Sequence, residues 1–288
     1  MENAVVTIQT AHQKFISFLK EKKRASATIL AYGKDINQLI VFLEKSGKTS
    51  LTDAKQADLE NFIESLNKEN YTQKSVSRKI NSIKTFYRFL KQGEIISDDP
   101  AVFLVHPKYE IKPPRILSKM EYRALRDACR EDARIASIVE LLLQTGIRIG
   151  ELAALTLPNI KETSIVIKPM EGHAGREIPL NKAARNSLQR YISIRPKSNE
   201  TAVFITKTGK PLLIRNIRTA IDRYFRIADI KDAKVNDLRH TFIAHHLMEG
   251  TSLVVVSRLA GHKRLSTTEK YLDLVKDQIE EKVKLGEL

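Results

Sequence analysis

The chain has 288 residues, enough for one large domain or two ordinary ones, and its 42% hydrophobic and 29% charged content is that of a globular protein with a buried core. Lysine and arginine number 49 against 34 acidic residues, a net charge of +15, which favours a polyanionic partner because each phosphate neutralised releases counterions. The single cysteine, Cys129, excludes an intrachain disulfide; no run nears the ~18 apolar residues of a membrane span and no signal-peptide pattern opens the chain, so a cytoplasmic protein is expected.

Four helices are predicted in the first hundred residues. Thr7 to Lys22 carries Ile8, Ala11, Phe15, Phe18 and Leu19 at helical spacing, and Ser26 is placed to cap a second helix that Gly47 stops. Thr52 precedes a third, with Leu59, Phe62, Ile63 and Leu66. In the fourth, Gln73 to Lys91, one face is apolar, while Lys74, Arg78, Lys84, Arg88 and Lys91 form a basic stripe suited to a phosphate backbone. The segment HPKYEIKPPRILS (His106 to Ser118) has three prolines and no hydrophobic period, which favours extended chain.

Beyond it, Ser118 and Glu121 form a capping-box pattern that opens a second domain. There follow an apolar helix from Arg134 to Gln144, two β-rich segments (Ser164 to Lys168 and Gly175 to Leu180), a helix from Asn181, a short strand from Val203 to Thr206 and a helix from Asn216 to Ala228. The remainder reads as helix. The fold expected is mainly α, an N-terminal four-helix domain over residues 1–108, a linker over 109–117, and a mixed, mostly helical domain over 118–288 with a small antiparallel β-sheet.

Chemistry concentrates in two stretches. TGIRIGEL (Thr145 to Leu152) contains Arg148. The segment from Asn236 to Leu274 contains Arg239, then His262 in Ala-Gly-His, then Tyr271 nine residues later. Breaking a phosphodiester requires cations on the non-bridging oxygens, an activated nucleophile and a proton for the leaving oxygen. The sequence has no HExxH or CxxC to hold a metal, so two guanidiniums gripping a phosphate are the alternative. Tyr271 is the candidate nucleophile; nearby arginines would favour its phenolate. The competing reading is structural, with Arg148 paired to Glu151 and Tyr271 packed in a helix.

These residues together resemble the tyrosine recombinase (phage integrase) family. TGIRIGEL is similar to that family's T-G-x-R-x-x-E-L box, DLRHTFIAHHL to its second arginine box, and LAGHKRLSTTEKY to L-G-H-x-x-x-x-T-T-x-x-Y; GREIPL (Gly175 to Leu180) matches the R-x-V-P-L strand after the family's β-hairpin. The resemblance implies catalytic roles for Arg148, Arg239, His262 and Tyr271. It implies a core-binding domain in the first hundred residues, a 3′-phosphotyrosyl intermediate and no cofactor, ATP or metal. The partner implied is double-stranded DNA with inverted half-sites, clamped by both domains within a homotetramer that passes through a Holliday junction. Free in solution the chain would be a monomer or weak oligomer, and its tail (276–288) would dock on a neighbour.

Two positions depart from the family pattern. Its second box usually begins with histidine, and here Asn236 stands there, unable to exchange a proton. Counting back from Arg176 places Glu171 where the leaving-group lysine is expected, which leaves Lys168 as the substitute and His173 as the next candidate. Integration or excision of a mobile element and replicon dimer resolution both fit, and the unusual hairpin favours a mobile-element or divergent enzyme. The departures also support a second reading, a catalytically degenerate architectural DNA-binding protein.

Overall fold

The computed structural model describes residues 7–48, 50, 53–110, 112–170 and 172–280, with side chains to residue 276. The chain divides into two compact units, Met1–Ile111 and Lys112–Leu288.

The first unit contains α1 (Ile8–Glu21), α2 (Ser26–Lys45), α3 (Gln56–Lys68) and α4 (Gln73–Gln92). Thr7 and Thr72 cap α1 and α4, their hydroxyls accepting from the amides of Thr10 and Ser75. Ser26 is not a cap. Ala25 takes that position, its carbonyl accepting from the amides of Thr28 and Ile29, so α2 starts one residue earlier than expected and without a side-chain cap. Thr52 lies outside the described residues; Asp58 accepts from the Lys55 amide at 2.8 Å and so secures the start of α3.

Each helix buries the stripe that its 3.6-residue period brings to one side. Phe15, Ile36, Leu39, Leu59, Phe62, Ile80 and Phe86 share one core, where Phe15 and Phe86 meet edge to face at 5.1 Å. Beside it lies a polar knot. Buried Asp35 on α2 accepts from Arg78, from Lys79 Nζ at 3.0 Å and from Ser82 Oγ at 3.2 Å, all on α4; Lys79 also reaches Gln38 at 2.6 Å. The basic stripe on α4 is therefore uneven: Lys74, Arg88 and Lys91 are exposed, Arg78 is held by Asp35, and Lys84 donates to the Val102 carbonyl at 3.0 Å.

The second unit runs α5 (Lys119–Ala128), α6 (Ala133–Thr145), α7 (Ile149–Ala153), β1 (Ser164–Ile167), β2 (Arg176–Pro179), α8 (Lys182–Ile194), α9 (Ile214–Ile227), α10 (Val235–Met248), α11 (Leu253–Ala260), α12 (Ser266–Glu269) and α13 (Leu272–Glu280). Ser118 and Glu121 form the expected capping box, exchanging hydrogen bonds of 2.8 and 3.2 Å. Helix α6 is apolar on nearly every side because α8 and α10 both pack on it. Strands β1 and β2 pair antiparallel from Ser164 with Pro179 to Ile167 with Arg176.

The predicted strand from Val203 to Thr206 is corrected. Within it only Ile205 makes a bridge, with Pro211, and the neighbouring Ala202 bridges Thr156; the two partners belong to separate loops and no ladder continues. Val203, Phe204 and Ile205 are buried nonetheless, and so look strand-like in sequence. Cys129 is buried at the end of α5, and burial pushes its thiol up to about 11, as suits an inert apolar residue. No helix among the described residues is long and apolar enough to cross a membrane.

Candidate active site

The site is built on interlocked turns of the second unit. Helix α6 ends at Gly146, which takes a left-handed φ of 60°; a Cβ there would stand 2.2 Å from Phe242 Cδ1, so glycine alone fits. This turn brings Arg148 to the start of α7. The Arg148 amide donates to Glu151 at 2.8 Å and its guanidinium at 3.1 Å, while Nη2 reaches the Gly261 carbonyl at 2.9 Å. From α10, Arg239 reaches back to the Gly146 carbonyl. Gly261 is left-handed too (φ 67°), and a Cβ on it would meet Arg176 Nη1 at 2.8 Å.

Arg176, at the start of β2, completes the frame. It grips Glu151 through two parallel bonds of 2.8 and 2.9 Å and donates from Nε to the Leu259 carbonyl at 2.6 Å. Glu151 thus serves two guanidiniums. Burial would raise its carboxyl, but the hydrogen bonds from Arg176 and the Arg148 amide, with both positive charges, hold it at about 2. The expected pairing of Arg148 with Glu151 exists, yet it orients the arginine toward the site and does not divert it.

Three guanidiniums near one carboxylate leave excess positive charge. Arg239 is only 6% exposed and makes one hydrogen bond among the described residues. Burial first, then Arg148 and Arg176, bring its pKa down to about 10 against the pull of Glu151, so it stays charged at neutral pH with no ion pair of its own among the described residues. His262, just after Gly261, is pushed down to about 4 by burial and by Arg239, Arg148 and Arg176. Its Nδ1 lies 2.7 Å from Thr268 Oγ1. The Tyr271 ring stacks near it, with centroids 6.5 Å apart, and the Tyr271 hydroxyl lies 2.6 Å from Nδ1 of His240. One expectation needs correcting: burial raises the Tyr271 pKa, and Arg239 only partly offsets it, so the arginines alone do not generate a phenolate.

Arg148, Arg239, His262 and Tyr271 therefore meet in one place, as nothing in their spacing required. Asn236 is exposed in the first turn of α10. His173, beyond β1, is part-buried, with its Nδ1 unpartnered among the described residues; burial and the charges of Arg148, Lys263 and Arg176 lower its pKa. Lys168 is exposed and follows Ile167, the last residue of β1, which pairs with Arg176. Glu171 lies outside the described residues. Lys74, Arg78, Lys84, Arg88 and Lys91 belong to the first unit.

Sequence reasoning did not assign Arg176, Glu151, His240, Thr268 or Lys263 to the site. All five lie in the quoted segments, which was the signal available, but nothing there tells what each side chain will contact. Lys263 follows His262 directly, and a Cβ on Gly172 in the hairpin turn would be 3.2 Å from its Nζ.

Comparison with known proteins accords with this geometry. The chain matches the Phage integrase family over residues 115–278 and the Phage integrase, N-terminal SAM-like domain over residues 13–94. Tyrosine recombinase XerC of Staphylococcus saprophyticus is 33% identical over 283 residues, covering 94% of this chain and 95% of the relative. Among solved structures, a lambda integrase dimer bound to a COC' core site aligns with a TM-score of 0.76 at 15% identity, over 91% of this chain and 97% of that one. A lambda integrase tetramer bound to a Holliday junction gives 0.75 at 16%, over 90% and 78%; at such identities the likeness carries the fold. With a family match over more than half its length and a full-length relative at 33% identity, the chain belongs to the phage integrase family of tyrosine recombinases, site-specific enzymes that cleave and rejoin DNA.

Proposed function

We propose that Tyr271 is the nucleophile of this recombinase, with Arg148 and Arg239 holding the non-bridging oxygens of the scissile phosphate. The observation that supports it is the nearly buried, scarcely partnered guanidinium of Arg239 beside Arg148, His262 and Tyr271. A phosphate entering there would find a preorganised positive field. His262 is neutral at neutral pH, and in the tautomer whose Nδ1 accepts from the Thr268 hydroxyl, Nε2 carries the proton and can donate it to a phosphate oxygen. Attack by Tyr271 Oη forms a 3′-phosphotyrosine and releases a 5′-hydroxyl, whose later attack in another duplex restores the phosphodiester. The bond energy is conserved, which removes any need for ATP.

The departing oxygen draws its proton from the hairpin side. His173, half-buried within the field of Arg148, Arg176 and Lys263, is better placed than the exposed Lys168. The partner is a double-stranded recombination site in the bacterial cytoplasm, and the working assembly is a homotetramer. Exposed Lys74, Arg88 and Lys91 contribute phosphate contacts from the first unit, with Arg78 and Lys84 adding their partly engaged charges.

A nicked suicide duplex, which cannot be religated, tests the reading. Wild type should form a covalent protein–DNA adduct on a denaturing gel, in the presence of EDTA. Tyr271→Phe should form none while still shifting the duplex on a native gel. An adduct that persists in the variant removes Tyr271 from the role.

A further inference from the structure

The reaction proposed above needs the phenolic proton to go somewhere, and the surroundings of Tyr271 oppose its loss. The hydroxyl is buried, and Arg239 compensates that burial only in part. At position 236, where the family's box usually begins with histidine, Asn236 has no basic nitrogen. His240 is four residues further along α10, hence one turn on and on the same face. Its Nδ1 lies 2.6 Å from Tyr271 Oη, the rings tilted by 39° with centroids 5.8 Å apart.

We propose that His240 is the general base for Tyr271, taking over through its own contact the task for which Asn236 is unfit. As Oη forms its bond to phosphorus, the phenolic proton passes to Nδ1, the bond from phosphorus to the 5′-oxygen breaks, and that oxygen takes a proton from the hairpin side. In rejoining, the 5′-hydroxyl attacks phosphorus and gives its proton back to the hairpin side, the bond to Oη breaks, and the imidazolium returns its proton to Oη. No further reactant is consumed.

The surroundings of the imidazole suit an acceptor. Asp237 and Arg239 on its own helix, Tyr271 ahead of α13 and His262 after α11 are the ionisable groups around it. Burial, the larger influence, and Arg239 lower its pKa against the opposing pull of Asp237, so the ring is neutral at neutral pH. A base at 2.6 Å is within the reach that proton transfer needs.

This inference rests on Tyr271 as nucleophile, so the experiment separates the two. Single-turnover cleavage of the suicide duplex is followed across the neutral and alkaline range for wild type, Tyr271→Phe, His240→Asn and Asn236→His/His240→Asn. No adduct in wild type overturns both readings; an adduct absent only in Tyr271→Phe secures the nucleophile. His240→Asn keeps a polar atom where Nδ1 stands but cannot take the proton. It should bind the duplex as wild type does and cleave about 10²-fold more slowly at neutral pH. That deficit should shrink as pH rises towards the phenol's own ionisation. The double variant, with an imidazole restored one turn earlier, should regain part of the rate. Wild-type rates in His240→Asn, or the same loss at every pH, would reduce His240 to a positioning contact and overturn the proposal. If His240→Asn melts well below wild type, His240→Gln replaces it in the same assay, with the same outcomes deciding.

Discussion

Glu151 illustrates how one side chain sets the chemistry around it. It is nearly buried, pairs with Arg148 and Arg176, and has a folded pKa of about 2 against 4.5 unfolded. A depressed carboxyl contributes stability that is complete above the unfolded value and disappears as pH falls through the folded one. Urea unfolding should therefore show a loss of about 3 kcal/mol between roughly pH 4.5 and 2 from this group alone. Glu151→Gln should flatten that segment of the curve and lower stability by about 3 kcal/mol at neutral pH, because two guanidiniums lose their counter-charge. An unchanged acid slope in the variant would show that the pair does not couple to folding. The four residues Arg148, Arg239, His262 and Tyr271 were legible because they stand in boxes with fixed spacing. His240 stands in the second box as well, but its contact was not legible, since a histidine on a helix says nothing about the phenol that a later segment will bring to it.

At the scale of the element, α2 and α4 are joined by charge as well as by apolar packing. Lys79 and Asp35 are both buried and 3.0 Å apart. Removing one partner strands the other charge. Lys79→Met should cost about 3 kcal/mol in thermal or urea unfolding, whereas Lys79→Met combined with Asp35→Leu should recover most of it. A double variant no better than the single one would mean that Arg78 and Ser82 also depend on Asp35. Periodicity located the helices of the first unit, because a stripe of apolar residues at 3.6 spacing has one way to be buried. It could not tell that Arg78 and Lys79 differ, one largely exposed and one sealed against a carboxylate, as both are basic residues on a face next to the apolar stripe. The short segment from Val203 failed for a related reason: burial makes residues apolar and β-branched whether or not a neighbouring strand completes a ladder.

For the whole molecule, a net charge of +15 must show itself in how binding responds to salt. If both units contribute phosphate contacts, six or more of them give a slope of about −5 in log affinity against log salt, a loss of about 10³-fold between 50 and 200 mM. Filter binding or anisotropy with an unrelated duplex measures it; a slope shallower than about −2 would confine contact to two phosphates or so. The glycine carbonyls carry a consequence of another kind. Gly146 is held by the arginine of the second box, and Gly261 by the arginine of the first. The arginine of the second box is thereby seated on the main chain of the first, and that of the first on the main chain of the third. A chimaera taking one of these segments from a distant relative inherits a mismatched socket, so useful swaps of activity between recombinases must exchange all three together.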